Sequence, residues 1–102
     1  MALTNTFLTT TPSLIYNSTG TNAVVSAYFC NLSSNAVQFT LYAIPAGGSA
    51  EDTNTIYKTV NITPSDTFVM DVEKIILEDS ESLWGSATEE TAVAVTVVTV
   101  GV

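Results

Sequence analysis

The sequence predicts an all-β protein that folds as a single antiparallel β-sandwich, jelly-roll or Ig-like, of seven or eight strands. Three observations favour this class. Seventeen threonines and a valine-rich C-terminus supply β-branched residues, which suit a pleated sheet. Turn signals recur about every 8 to 12 residues between apolar stretches of strand length, as in sandwiches and small barrels. The length of 102 residues accommodates one hydrophobic core.

The N-terminal segment differs from the rest of the chain. Residues 3–10 alternate weakly, with Phe7 and Leu8 adjacent, which indicates an arm or an edge strand. We therefore divide the chain into an N-terminal arm, 1–11, and a β-sandwich domain, 12–102. A short strand over 13–16 should end at a turn rich in Asn, Ser, Thr and Gly, residues that tolerate positive φ or hydrogen bond their own backbone.

Two strands with contrasting patterns are expected next. In the segment 23–32 both faces are apolar, with Val25, Ala27 and Phe29 predicted on one face and Val24, Tyr28 and Cys30 on the other. In the segment 36–44 the inward residues alternate with polar ones, so one face should contact water. The short connection of serines and asparagine between these strands predicts a β-hairpin. The lone cysteine, Cys30, is expected to be a buried, inert thiol.

The C-terminal half contains the remaining strands. Residues 45–54 form the longest predicted loop, and loops of that length tend to be functional or mobile. Alternation over 56–62 places Tyr57 on an outward face, as it does Tyr42 in the preceding strand. Strands are expected over 67–72, 74–77 and 82–87, where Gly85 indicates a bulge or a close backbone approach. The last strand starts near residue 92.

That last strand has apolar residues on both faces. Val93, Val95 and Val97 share one face, and the final three valines share the other. A strand of this kind must be covered twice. The opposite sheet supplies one cover, and we expect the second to come from another molecule or a neighbouring element, so assembly is the leading hypothesis.

Charge and composition exclude several classes of function. The net charge is −8, from ten acidic residues against two lysines, with no arginine or histidine. Nucleic-acid binding needs a cationic surface, so it is not expected. No basic, apolar leader typical of a secretory signal is present, and no apolar run is long enough to cross a bilayer as a helix. We therefore expect neither a nucleic-acid nor a membrane partner.

Catalysis is also disfavoured, because the usual general base, oxyanion clamp and paired thiolates are missing. Two clusters of carboxylate side chains could form a site. Asp71 and Glu73, two residues apart on a strand, could form a hydrolytic pair or a calcium site, but a solvated edge is the favoured interpretation. Glu78, Asp79 and Glu81 could bind calcium, but their spacing matches no EF-hand. The prediction is a non-enzymatic protein without cofactor or metal.

Residues 11–102 resemble small structural proteins of tailed bacteriophages. The resemblance rests on the run 15–24 that opens with Ile15-Tyr16, on Phe29-Cys30-Asn31, on 37–45 followed by Gly47-Gly48, on Thr67-Phe68-Val69, and on the alternating C-terminal strand. It implies a virion component, either a capsid decoration (cement) protein or a tail or neck protein. A chain that starts at Met1 and lacks a long shaft fits decoration better. Such proteins in general bind as trimers at capsid symmetry axes, often with an N-terminal arm on the shell.

The functional hypothesis is therefore a decoration protein that binds the major capsid protein or other virion proteins, is located in the virion and forms homo-oligomers, with a trimer favoured. Two alternatives remain, a tail- or neck-associated protein and a carbohydrate-binding module that exposes Trp84 and Tyr57 beside the 45–54 loop. The candidate interface residues are Leu3, Phe7, Leu8, Trp84, Val98, Val100 and Val102.

Overall fold

A computed structural model describes residues 2–70 and 74–102 and confirms the all-β sandwich. Within these residues nine strands form two antiparallel sheets, and a single 3₁₀ turn, Asp52–Asn54, interrupts the longest loop. The strands are β1 (Ala2–Phe7), β2 (Ser13–Asn17), β3 (Asn22–Asn31), β4 (Val37–Ile44), β5 (Thr55–Ile62), β6 (Thr67–Met70), β7 (Ile75–Leu77), β8 (Ser82–Ala87) and β9 (Val93–Gly101).

The strand order is that of a jelly roll. The five-stranded sheet runs β1-β9-β3-β6, with the short β7 paired to β3 on the same side as β6. The four-stranded sheet runs β2-β8-β4-β5. Consecutive strands lie in different sheets except for the β4–β5 hairpin and the β6–β7 pair, as in the double Greek key of a jelly roll. Of the two architectures predicted, the jelly roll is therefore the one observed.

The core lies between the sheets and is centred on an aromatic cluster. Phe29 of β3 stacks on Phe39 of β4 across the sandwich, with ring centroids 4.3 Å apart and ring planes at 12°. Phe68 of β6 lies 5.4 Å from Phe39. Aliphatic residues from both sheets surround this cluster, including Leu41, Leu83, Val93, Val95 and Val97. The first face of the valine strand is thus covered by the opposite sheet, as predicted.

The predicted hairpin between the third and fourth strands is wrong, because β3 and β4 lie in different sheets. The connection between them crosses the end of the sandwich around the buried side chain of Asn31. Its Nδ2 donates to the backbone carbonyls of Asn35, Ile62 and Thr63 at 2.8, 3.0 and 3.3 Å. Its Oδ1 accepts from the backbone N–H and the hydroxyl of Ser33 at 2.9 and 2.8 Å. The Asn31 side chain thus links the connection after β3 to the end of β5.

Two of the β-bulges reverse an orientation that the sequence predicted. In β3 the pairing with β9 shifts at Val25, so that Val24 points inward, opposite to the prediction, together with Ala27 and Phe29. In β5 the residues Lys58 and Thr59 together oppose a single residue of β4. Thr59 has a φ of 50° at this bulge. The extra residue reverses the alternation.

Tyr57 illustrates the consequence of the second bulge. It pairs with the buried Leu41 and points into the sandwich, where its ring contacts Phe68 edge-on with centroids 5.4 Å apart. The prediction that Tyr57 faces outward is therefore wrong. Tyr42, in the neighbouring strand β4, pairs with Trp84 on the outer surface, as expected.

The segment assigned to an N-terminal arm forms an edge strand, the second of the two predicted alternatives. β1 pairs along its whole length with β9, from Ala2 opposite Thr99 to Phe7 opposite Ala94. The chain then turns inward, and Leu8 is fully buried in the core. Residues 2–8 are thus continuous with the five-stranded sheet.

Gly85 confirms the predicted close approach. A Cβ atom at this position would lie 2.9 Å from Cδ1 of Ile15, and 3.1 Å from both Cδ2 of Leu8 and the carbonyl oxygen of Thr40. The absence of a side chain at position 85 therefore leaves space for the Leu8 side chain, where the chain turns inward.

Glu90 joins the loop after β1 to the loop before β9. Its Oε1 accepts hydrogen bonds from the Thr10 hydroxyl at 2.6 Å and the Thr10 backbone N–H at 2.9 Å. These two bonds lower the pKa of the Glu90 carboxyl. Since the folded-state pKa is below the unfolded value, the stabilisation is present above the unfolded pKa and is lost as pH falls through the folded-state pKa.

We expect Glu90→Gln to lower the melting temperature slightly at neutral pH, because a charge-assisted acceptor is replaced by a neutral one. The difference from the unmodified protein should disappear at acidic pH, where Glu90 is itself protonated. Thermal unfolding followed across pH measures both effects. Glu89→Gln is the control, since no hydrogen bond of that side chain is found in the described residues. A pH-independent effect at position 90 would contradict the assignment.

Candidate docking face

The outer face of the five-stranded sheet is the most distinctive surface of the molecule. Cross-strand pairs define it, since residues opposite one another in neighbouring strands project to the same side. Leu3 lies opposite Val98 and Phe7 opposite Ala94, while Tyr28 lies between Thr96 and Val69. We call this surface the outer apolar face; its apolar members are Leu3, Phe7, Ala23, Tyr28, Cys30, Val69, Ile76, Ala94, Val98 and Val100.

No paired residue of this face carries a charge; its polar members are Asn5, Ser26, Thr67 and Thr96. Large side chains on it are open to solvent: Leu3 is 68% exposed and Ile76 is 61% exposed. Every Asp and Glu that the structure describes lies outside the strands, in turns and loops. The acidic residues that the structure describes therefore lie away from this face.

Five of the seven predicted interface residues lie at this surface. Leu3, Phe7, Val98 and Val100 are members of the outer apolar face, and Val102 follows β9 directly and is 76% exposed. No described strand packs over the second face of the valine strand, and its predicted cover by another molecule stays a prediction.

The other two predicted interface residues lie elsewhere. Leu8 is completely buried in the core, because the chain turns inward after Phe7, so it is not available to a partner. Trp84 is half-buried on the outer surface of the four-stranded sheet, beside Tyr42 and Leu14. Its Nε1 donates to the Ser82 hydroxyl at 3.0 Å.

Sequence reasoning missed three large members of the face, Tyr28, Val69 and Ile76. Tyr28 lies in β3, and Val69 and Ile76 lie in the strands β6 and β7 that pair with it. Their common orientation therefore depends on which strands flank β3. The adjacent Ile75 and Ile76 gave a signal: two isoleucines in succession on a strand must project to opposite sides, so one of them leaves the core. Cys30 also lies on this face and is half-buried rather than buried.

One part of the outer surface of the four-stranded sheet is polar by contrast. A shallow hollow of about 370 Å³ is lined mainly by hydroxyl and amide side chains: Thr10, Gln38, Thr40, Thr59, Ser86 and Thr88. Two of these hydroxyls already serve the backbone, since Thr40 accepts the N–H of Thr59 and Thr88 accepts that of Gln38, both at 3.1 Å. Trp84 and Tyr57 lie on opposite sides of this sheet, so the aromatic platform expected for a carbohydrate-binding module is not formed.

The acidic turn uses its carboxylates locally. The Glu81 carboxylate accepts the backbone N–H of Glu78 at 2.8 Å, and Asp79 accepts that of Gly20 at 2.9 Å. Within 2–70 and 74–102, no three Asp, Glu or Cys side chains are grouped so that they could hold a metal ion. The other carboxylate pair considered, Asp71 and Glu73, lies outside the described residues.

Comparison of the chain with protein-family models, with curated proteins and with solved structures finds no match. The part of the chain that the structure describes contains no helix long and apolar enough to span a bilayer.

Proposed function

We propose that this chain is a non-enzymatic structural protein of a tailed-phage virion, a decoration protein that binds the head shell and stabilises it. The observation that carries the proposal is the outer apolar face. Its paired residues carry no charge and extend over all five strands of one sheet, while the acidic residues that the structure describes lie in turns and loops. A large exposed apolar surface rimmed by polar residues is typical of a protein-interaction site.

The chemistry of the face fits a docking function. Buried apolar area contributes roughly 25 cal/mol per Å², and aromatic residues such as Tyr28 and Phe7 are enriched in interfaces. A rigid sheet presents these side chains without the entropic cost of ordering a loop. Binding of many copies stabilises a shell by mass action, even where each contact is weak.

Two further considerations support a virion partner. The double-sheet jelly roll is an architecture that viral capsid proteins use, which supports the proposal by fold analogy. The resemblance of residues 11–102 to small phage structural proteins points to the same class. The acidic loops at the rim would meet basic patches on the shell protein and set the orientation of binding.

The test is co-sedimentation of the purified protein with heads of the phage that encodes it. We expect binding by the unmodified protein and a loss of at least tenfold in affinity for Val69→Lys and for Ile76→Lys. Each of these substitutions places a charge at an exposed position of the outer apolar face, where docking would desolvate it. Since both side chains project outward, the fold should tolerate them.

Gln38→Lys is the matched control. Gln38 is exposed on the outer surface of the four-stranded sheet, so the same charge there should leave head binding unchanged. Equal losses for all three variants would contradict docking through the outer apolar face. Binding to tails but not heads would replace the decoration role by a tail or neck role, and binding to neither would overturn the virion proposal.

A further inference from the structure

The free edge of β1 is unlike the other edges of the sandwich. Natural sheets protect their edges with charged residues, prolines, bulges or short strands, because unpaired backbone groups pair readily with another strand. β1 is six residues long, pairs with β9 without a register shift and contains neither a charged residue nor proline. Of the strand edges in the described residues, this one lacks all four protective devices.

Each remaining edge shows at least one such device. β5 carries Lys58 and the bulge at Lys58–Thr59. The edge formed by β6 and β7 is divided into strands of four and three residues. β2 has five residues and a register shift between Leu14 and Tyr16. The contrast indicates that β1 is open for pairing rather than merely unprotected by chance.

The backbone polarity of β1 can be worked out from its pairing with β9. The N–H of Leu8 donates to the carbonyl of Val93 at 3.0 Å, so Leu8 directs its amide toward β9. In an antiparallel ladder alternate residues direct their N–H and C=O groups to opposite sides. Leu3, Asn5 and Phe7 therefore direct theirs toward the free edge. Among the described residues, no backbone–backbone hydrogen bond outside the ladders involves these three.

We propose that two copies of the chain pair through β1 in antiparallel orientation about a two-fold axis at Asn5. This register places Asn5 opposite Asn5 of the second copy and Leu3 opposite Phe7 of the second copy. The three residues whose backbone groups point to the free edge thus face one another, and each apolar side chain meets an apolar one. The two five-stranded sheets become one continuous sheet.

Charge and continuity support a second copy as the occupant of this edge. A net charge of −8 opposes self-association in general, but β1 is neutral and the outer apolar face beside it has no charged paired residue. The symmetric register brings no unlike chemistry together, as expected for an isologous contact. It also joins the outer apolar faces of the two copies into one surface. The pairing does not depend on a virion function, because it follows from the edge alone.

The experiment compares Asn5→Pro with Asn5→Ala by size-exclusion chromatography with light scattering. Proline lacks the N–H that this register uses, whereas alanine retains it. The Asn5 N–H points away from β9, so proline there removes no bond of the intramolecular ladder. We expect the unmodified protein and Asn5→Ala to have twice the chain mass of 10.8 kDa, and Asn5→Pro to have that mass once, with its circular dichroism unchanged.

A cysteine at the axis tests the register directly. In a Cys30→Ser background, Asn5→Cys should form a disulfide-linked dimer on mild oxidation, because the two side chains are directly opposed. Leu3→Cys is the control, since the two Leu3 positions are separated along the strands, and it should remain unlinked. A monomeric unmodified protein, a trimer, or a dimer that survives Asn5→Pro overturns the proposal. Failure to bind heads leaves it intact.

Discussion

Asn31→Asp is expected to destabilise the protein by about 3–5 kcal/mol at neutral pH, which is a large part of the stability of a small domain. The substitution keeps the shape of the side chain but replaces its Nδ2 donor by a carboxylate oxygen. That oxygen would face the carbonyls of Asn35, Ile62 and Thr63, which now receive the donated bonds. Chemical unfolding monitored by tryptophan fluorescence measures the loss.

The pH dependence of this variant provides a second readout. Carbonyl oxygens around a buried carboxyl disfavour its charged form and raise its folded-state pKa above the unfolded value of about 3.9. The penalty is therefore smallest below the unfolded pKa and grows as pH rises through the folded-state pKa. Asn35→Asp is the control, because the Asn35 side chain is exposed. Equal effects at the two positions would contradict the role assigned to the Asn31 amide.

Phe39→Ala is the second substitution with a large expected effect, a loss of about 3–5 kcal/mol. Phe39 is buried and lies at the centre of the aromatic cluster, in contact with Phe29, Phe68 and Tyr57. Alanine would leave a cavity between the two sheets. In urea unfolding the midpoint should fall while the m-value is retained, since the surface exposed on unfolding changes little.

Phe7→Ala removes the same atoms from the outer apolar face and serves as the control. Phe7 is 46% exposed, so its loss should cost less than about 1 kcal/mol to the folded chain. Similar losses at positions 7 and 39 would show that the core is not centred on the stacked pair.

Local patterns predicted the strands well where the pleat is regular. Alternation in β4 placed Val37, Phe39 and Leu41 inward, as observed, because nothing interrupts its side-chain period of two. The two-sided valine pattern of β9 likewise predicted that the opposite sheet covers Val93, Val95 and Val97, as observed. These predictions succeed since the identity of each side chain directly reports the side it occupies.

Bulges explain the errors in orientation. The sequence around Lys58 and Thr59 alternates as an ordinary strand does, and no glycine or proline marks the extra residue. A single added residue puts the side chains before it out of phase with those after it. Tyr57 therefore faces inward, although regular alternation with Val60 and Ile62 predicts that it faces outward. The insertion at Val25 had the same effect on Val24.

Connections were less predictable than strands. A short turn rich in serine and asparagine suits a hairpin and also suits a crossing between sheets, since both need residues that hydrogen bond their own backbone. What distinguishes the crossing after β3 is the burial of Asn31, which depends on carbonyls contributed from residues 62 and 63. Likewise, the sequence patterns of β1 and β9 predicted part of the outer apolar face, but its extension to Val69 and Ile76 could be recognised only from the strand order.

The position of β9 has a consequence for how the protein is made. This last strand lies between the first and third, so the five-stranded sheet lacks its middle member until translation has passed residue 101. Until β9 has been synthesised, β1 lacks the strand with which it pairs. Folding therefore depends on pairings between residues distant in sequence, which is typical of slow-folding topologies, with folding times on the order of milliseconds to seconds.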